Sequence, residues 1–576
     1  MDRPWGTTFD LSSLWDVILL FAIVIAIAPF FGSYLGKVYS NRPAFGDTLL
    51  TPIENAVYRL LGTSPRRSMR AREYMWAVLL VNGVLLGFLY FWFTFQSSLP
   101  YDATGAPPMS WSLGFHSAAS FTTNTDFTHF TNEAQMSMGS EMIAWQLALF
   151  VSPATGLAVA AAMIRGWIRK DGTLGNFYVD LTRSITRILL PLAIVGALLY
   201  VLMGVPETLT NFVTAHPITG GTQIIYLGPV ASFQSLSLLG TNGGGWYSAN
   251  AASPLANPTA LSNLWSIFLM MLIPFSTPFA FGQMIRKRGE AWPYFGTILI
   301  VVVVALTLFI AFQAASNPAL ATVPGLGVQT NGYPVGQEVR FSLPEGSMFQ
   351  VVSVYGNVGA NNMDIGALSP VAQIVLLFGM FTQSTPGGEG TGFGTLLLFA
   401  ILAIFIAGLM VGRTPEYLGK KIGTAEVKYA ALALLVHPAA ILIPFGVAIV
   451  GGFANLPNVG IPANAHNFTS VLYEFTSESA NNGSALSTAA FNDTTVFFNV
   501  AGAIVMLVGR FVPIWAMLQI GGLFSKQSEM PPGPGTLQTA SVTFTIYLTL
   551  ILIIISALFF LPVLALGPLA QITGGI

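Results

Sequence analysis

The sequence predicts an all-α polytopic membrane protein with about ten transmembrane helices. Three observations predict it: 53% of residues are hydrophobic against 8% charged, ten apolar segments are each long enough to span, and the connecting segments differ sharply in basic residues. A soluble domain carries roughly 25% charged residues, and a soluble chain of 576 residues would need that charge to cover its surface. The mean hydropathy of +0.67 agrees. A net charge of −1 gives no global basis for nucleic-acid binding. The absence of cysteine excludes disulfides, thiolate metal sites and iron–sulfur clusters, and five histidines scattered mainly through loops make a poor case for haem.

The apolar segments fall near 14–36, 75–95, 142–164, 188–205, 260–284, 295–315, 392–412, 428–453, 494–522 and 541–567, each able to form a helix of ~20 residues. No basic stretch precedes the first and no small-residue cleavage site follows 17–31, so it reads as a retained helix. With the N-terminus outside, the odd-numbered linkers are cytoplasmic and hold 20 of the 23 basic residues, among them Arg66, Arg67, Arg165, Arg183, Arg187, Lys287 and Lys421. Only Arg3 and Arg340 fall outside, and Arg510 falls within a span. The positive-inside rule predicts this asymmetry.

Each external linker between spans 2–3, 4–5, 6–7 and 8–9 contains an apolar run too short to cross, followed directly by small and amide residues. The four stretches are "WSLGFHSAASFTTNTDF", "VASFQSLSLLGTNGGGW", "GSMFQVVSVYGNVGANNM" and "SVLYEFTSESANNGSAL". Their matched positions make an internal repeat of helix, re-entrant loop and helix, used four times. Irregular backbone at membrane depth is tolerated only where protein buries it or where it lines a watery path. A short helix followed by an extended segment can turn its carbonyls toward a cation and replace the hydration shell. The candidate filter residues are Thr122, Thr123 and Asn124; Thr241, Asn242 and Gly243; Tyr355, Gly356 and Asn357; and Asn482 and Gly483. Their neutral oxygens suit a monovalent cation, whereas a divalent site would more often show a carboxylate ring. Asp126, Asp364, Glu474 and Glu478 lie nearby and would add a negative field at the mouth.

Several motifs carry a family resemblance: "LGTNGGG" at 239–245, "AGLMVGRTPEYLGKKI" at 407–422, "ANNGSA" at 480–485, "VGRF" at 508–511, "TNTD" at 123–126 and "GQEVRF" at 336–341. The chain resembles the potassium-binding subunit (KdpA) family of the bacterial Kdp potassium-transporting P-type ATPases, over essentially its whole length. The resemblance implies four helix–pore loop–helix repeats in pseudo-fourfold arrangement, plus one extra helix at each end. On that plan the chain divides into an N-terminal helix and cytoplasmic loop at 1–73, repeats at 74–187, 188–294, 295–427 and 428–535, and a C-terminal helix at 536–576. It further implies a single K+ filter and a tunnel leading to a P-type ATPase catalytic subunit that uses the ATP. A third accessory subunit and a small membrane peptide complete the complex, in the bacterial plasma (inner) membrane. K+ is then the transported ion, with no organic cofactor in this chain. Thr122 and Asp126 stand where the family usually has Val and Asn.

Three further elements gain a role from the resemblance. "TPGGEGTGFG" at 385–394 is a glycine-rich break between two apolar runs, and the superfamily places a gate there, at Gly387, Gly388, Glu389 and Gly390. Read alone, it is equally a linker. Arg510 is an intramembrane cation, costly unless paired or facing water; it reads as a structural ion pair or as a positive charge that keeps K+ from the direct exit. In "GRTPEYLGKKI" at 412–422, Arg413, Thr414, Pro415, Glu416 and Tyr417 become a partner-docking element; read alone, the stretch is a basic linker. His437 reads as a hydrogen-bonded packing residue. The chain has no P-loop and no D-K-T-G-T motif, so it either borrows energy from a partner or works as a self-standing potassium channel or cation symporter. A membrane oxidoreductase would need histidine pairs within spans, and the sequence has a single such histidine.

Overall fold

The computed structural model describes residues 11–102, 105–313, 336–410, 412, 415–453, 465–486, 491–531 and 536–572. Ten helices among them are long and apolar enough to cross a membrane, as the hydropathy pattern predicts, and the protein is an integral membrane protein.

Helix α1 (Leu11–Tyr39) is the first span, and α2 (Asp47–Leu60) is a short amphipathic helix. The first repeat unit is α3 (Ala71–Phe95), a short re-entrant helix α4 (Trp111–Thr122), a single turn α5 (Asn132–Gln135) and α6 (Gln146–Ile168), which a π turn at Ser140–Trp145 precedes. The second begins with α7 (Phe177–Arg183) and α8 (Leu190–Leu202), one continuous span joined by a π turn. An antiparallel hairpin of β1 (Phe212–Ala215) and β2 (Gln223–Tyr226) follows, then re-entrant α9 (Val230–Leu239) and α10 (Ala260–Met284). The third comprises α11 (Ala291–Gln313), re-entrant α12 (Leu343–Tyr355), and a broken span of α13 (Pro370–Thr382) and α14 (Thr391–Met410). A two-residue hairpin of β3 (Glu416–Tyr417) and β4 (Lys420–Lys421) leads to the fourth: α15 (Thr424–Val450), re-entrant α16 (Ala465–Ala480) and α17 (Val496–Phe524). Helices α18 (Val542–Leu566) and α19 (Pro568–Ile572) end the chain.

Burial sorts the spans into two rings. The second helix of each unit is the inner one: 83% of the central window is buried for α6 and for α10, 61% for α14 and 56% for α17. The first helices stay between 28% and 44%, and the terminal helices α1 and α18 are likewise outer ones, at 22% and 33%. Four inner helices thus surround four re-entrant ones, which is the pseudo-fourfold plan. Helix α1 nonetheless crosses α10 closely. A Cβ at Gly32 would stand 2.3 Å from the Ser276 carbonyl oxygen, and one at Gly36 2.7 Å from Gln283 Cβ. Small residues allow this approach, which apolar pressure alone does not supply in lipid.

The basic face departs from the linear hydropathy pattern in two places. The fourth span starts at Phe177, not near 188, and carries Arg183 and Arg187 inside its helix. Arg187 bonds Glu54 and Asp47 of α2, so its charge is neutralised before the apolar stretch begins. Helix α2 itself has no counterpart among the expected spans. It buries Glu54 and Tyr58 and exposes Phe45 just before it, Leu49, Ile53 and Leu60, the distribution of a helix lying along an interface. Nearby, Arg165 grips Asp180 through both its Nη atoms, at 2.6 and 2.7 Å, and Tyr74 donates to the same carboxylate at 2.9 Å. The pair is buried and fully bonded, the condition under which an ion pair survives desolvation.

Candidate functional site

The four re-entrant helices end on the same backbone turn. A left-handed residue, a middle residue and a second positive-φ residue follow each one: Asn124 (φ 66), Thr125 and Asp126 (51); Thr241 (48), Asn242 and Gly243 (81); Asn357 (50), Val358 and Gly359 (85); Asn481 (55), Asn482 and Gly483 (100). A serine stands six residues before the last position in every case: Ser120, Ser237, Ser353 and Ser477. Its carbonyl accepts from the middle residue's N–H, at 3.0, 2.9, 2.7 and 2.9 Å respectively. In three loops its hydroxyl also holds the strand beyond the turn, donating to the carbonyls of Phe127 (2.8 Å), Gly244 (2.7 Å) and Ala360 (2.6 Å). In the fourth it accepts from Gly483 N–H at 3.0 Å. One serine per loop therefore fixes the turn from both sides.

The loops close into a ring. A Cβ at Gly243 would lie 1.5 Å from the Val358 carbonyl oxygen, one at Gly359 1.9 Å from that of Asn482, and one at Gly483 2.1 Å from that of Thr125. Loop two thus abuts loop three, three abuts four, and four abuts one, each through the middle carbonyl of its neighbour. Contact this close requires glycine, because any side chain would displace the carbonyl. The fourth seam is bridged differently: Asn124 Nδ2 donates to the Thr241 carbonyl at 2.7 Å, and Asp126, where the other loops have glycine, accepts from Trp145 Nε1 at 2.5 Å. No donor among the described residues bonds the carbonyls of Thr125, Asn242, Val358 or Asn482. Buried acceptors left unpaired cost roughly 1–3 kcal/mol each, and a cation at the ring would offset that cost.

This register differs from the one expected. Gly356 has an ordinary φ of −80 and only caps α12; the positive-φ glycine of the third loop is Gly359. Tyr355 is the last residue of α12, its hydroxyl donating to the Val375 carbonyl at 2.9 Å, and Asn357 begins the turn. Thr122 likewise ends α4 and Thr123 caps it, with Thr123 Oγ1 2.7 Å from Thr125 Oγ1. Asn124, Thr241, Asn242, Gly243, Asn482 and Gly483 fall on the turns themselves. Thr125, Asp126, Val358, Gly359 and Asn481 belong beside them, and the recurrent serine was the signal that would have aligned all four. The acids behave differently from a field at the mouth: Glu474 and Glu478 each face a histidine, His129 at 2.6 Å and His116 at 3.2 Å.

The break between α13 and α14 passes directly beneath the ring. Gly387 N–H donates to the Tyr355 carbonyl at 2.9 Å, and Glu389 N–H to Thr241 Oγ1 at 3.0 Å. Gly388 faces Thr241 and Asn357, while Gly390 abuts Gly156 of α6. Neither oxygen of the Glu389 carboxylate has a hydrogen-bond partner, although the residue is fully buried. Arg510 lies alongside and donates to Thr391 Oγ1 (2.9 Å) and the Ser152 carbonyl (3.1 Å). A cavity of about 30 Å³ separates Arg510 from the turn residues Asn124, Asn357 and Asn481, room for one or two waters. His437 is bonded to Ser479 Oγ and the Met380 carbonyl, as a packing residue would be.

The basic element at 412–422 is less available than its sequence suggests. Arg413 and Thr414 lie outside the described residues. Glu416 accepts from Thr536, and Pro415 packs on Gly408. Tyr417 is 1% exposed and shares a 2.6 Å hydrogen bond with Tyr294. The bond ties the hairpin to α11 and leaves this ring buried within the chain.

Residues 18–572 match the family described as KdpA, Potassium-transporting ATPase A subunit. The chain is 39% identical over 558 residues to a protein of Nostoc sp. named potassium-transporting ATPase potassium-binding subunit, covering 97% of this chain and 98% of that one. It is 37% identical to the similarly named protein of Geobacillus kaustophilus, covering 97% and 99%. Among solved structures, the potassium transporter TrkH of Vibrio parahaemolyticus has a similar fold, with a TM-score of 0.50 at 15% identity, over 88% of this chain and 97% of that one. The chain therefore belongs to the KdpA family of potassium-transporting ATPase A subunits.

Proposed function

We propose that this protein is the potassium-binding and translocating subunit of an ATP-driven potassium uptake complex in the bacterial plasma membrane, with its N-terminus outside. The observation that carries the reading is the ring of four buried middle-position carbonyls, bonded by no donor among the described residues and backed by one serine per loop. Such oxygens replace the hydration shell of a cation, and their neutrality suits K+. The ion enters from the outer face, dehydrates in the ring and meets the 385–390 segment, which acts as the gate. Arg510 repels it from the direct exit and favours a sideways path to the P-type catalytic subunit. That partner hydrolyses ATP, and a third subunit and a small peptide complete the assembly. The exposed part of the 412–422 element, around Lys421, contributes to docking on the cytoplasmic side.

The test is to co-express the chain with a P-type partner and accessory subunits, purify the complex and titrate ATP hydrolysis with K+ and then Na+, with Gly243→Asp alongside. K+-selective stimulation that moves to higher K+ in the variant is expected. Failure to co-purify, together with K+ flux through the chain alone in liposomes, would overturn the pump reading in favour of a channel or symporter.

A further inference from the structure

Behind the seam between the first and fourth loops lies a cluster that ion conduction does not use. His116 of α4, His129 after the first turn, and Glu474 and Glu478 of α16 meet there, none more than 1% exposed. His116 Nε2 is 3.2 Å from Glu478 Oε1, and His129 Nε2 is 2.6 Å from Glu474 Oε1. The two rings lie 3.8 Å apart. Two atoms in the cluster have no partner despite complete burial: His116 Nδ1 and Glu478 Oε2.

The surroundings orient these groups. Asn499 Nδ2 donates to Ser112 Oγ (3.2 Å) and to the Asn492 carbonyl (3.1 Å), which turns its Oδ1 toward His129 Nδ1 at 2.7 Å. Nδ1 therefore carries the hydrogen, and Nε2 faces the carboxylates. This is the outer bond that fixes the tautomer of a metal-ligating histidine. Glycine at 502 makes room for the Glu478 carboxylate: a Cβ there would lie 1.8 Å from Oε1. Phe127 and Phe491 wall the site, with ring centres 5.3 and 5.2 Å from that of His129.

The geometry points to a closed zinc-class metal site, with His116, His129 and Glu478 as ligands and Glu474 as the fourth. Ligand atoms of the first three lie within 4.8 Å of one another. Four ligands about 2.0–2.2 Å from zinc stand roughly 3.4 Å apart, so side-chain rotations bring these three into range, and Glu474, 2.6 Å from His129 Nε2, turns in to complete the set. Charge favours one divalent ion. Two carboxylates and two neutral imidazoles carry two negative charges, and one M2+ cancels both in a place where net charge is costly. The ion displaces the protons otherwise held in the two His–Glu contacts. Imidazole with carboxylate suits zinc better than calcium or copper(I). The metal would staple the first filter loop to the fourth re-entrant helix, beside the Gly483–Thr125 seam.

The full-length chain, purified through a histidine-free tag, is stripped with chelator, reloaded with excess Zn2+, desalted and assayed by elemental mass spectrometry. Wild type is expected to retain about one zinc per chain, and the His116→Asn, Glu478→Gln double variant about a tenth of that or less. Zinc content in wild type no higher than in the variant would overturn the proposal and leave two shared protons as the occupants. Should the variant misfold, zinc-edge X-ray absorption on the loaded wild type decides. A first shell of N and O at about 2.0–2.1 Å with imidazole scattering is expected, and its absence overturns the proposal.

Discussion

Replacing Gly359 and Gly356 in turn, each by alanine, separates the two possible registers of the third loop. At Gly359 the φ of +85 is one that an L side chain adopts at a cost of roughly 1–2 kcal/mol. The new methyl would also stand 1.9 Å from the Asn482 carbonyl oxygen, a ring member. That oxygen or its loop must retreat by roughly 1 Å, and overpacking of this kind costs about 1–3 kcal/mol. Together the penalties reach roughly 2–5 kcal/mol against the conformation that binds the ion. At 1.4 kcal/mol per decade, the half-saturating K+ concentration rises between about 30-fold and a few thousand-fold. At Gly356 φ is −80, and the nearest atoms are the Val352 carbonyl of its own turn, at 2.7 Å, and a movable Val358 methyl, at 3.3 Å. A cost near 1 kcal/mol, and a shift below about tenfold, is expected there. The assay is K+ stimulation of ATP hydrolysis by the assembled complex, with thermal unfolding of each variant measured in parallel. A silent Gly359→Ala beside a damaging Gly356→Ala would refute the ring register.

Other consequences follow from the same contacts. Ser353→Ala removes the hydroxyl bonded to the Ala360 carbonyl at 2.6 Å and leaves that carbonyl unpaired; a loss of about 1–2 kcal/mol should raise half-saturating K+ roughly 5- to 30-fold in the same titration. Arg510→Gln deletes the only basic residue within the α17 span and its bonds to Thr391 and Ser152; passive K+ flux in liposomes should rise, and an unchanged flux would remove the arginine from the pathway. Tyr417→Phe breaks the buried bond to Tyr294 and should lower stability by about 1 kcal/mol while co-purification with a partner is unchanged. Gly32→Leu drives a side chain into the Ser276 carbonyl and should reduce the yield of folded protein in detergent, seen as loss of the monodisperse chromatographic peak.

Much of the architecture was legible in the linear sequence because lipid imposes a simple rule. A spanning segment must be apolar, and its ends take the charges. The ten spans, the four re-entrant runs between them and the excess of basic residues on one face all follow from that rule. Where a local exception arose, a distant partner caused it: Arg183 and Arg187 sit inside a helix because α2 supplies acids that no linear pattern assigns to them. The break after α13 was visible as glycine, but its place beneath the ring depends on contacts with Tyr355 and Thr241.

Composition by itself determined the solvent, the number of crossings and the chemistry of the loops, since each depends on residue type summed over short windows. Tertiary structure alone decided which glycine closes the third loop, because Gly356 and Gly359 differ only in φ and in what lies against them. It also decided that Tyr417 is buried against Tyr294, and that two histidines and two glutamates far apart in the chain meet in one cluster. Those assignments rest on approach distances of a few ångströms between segments up to 362 residues apart, which neither residue type nor local spacing encodes.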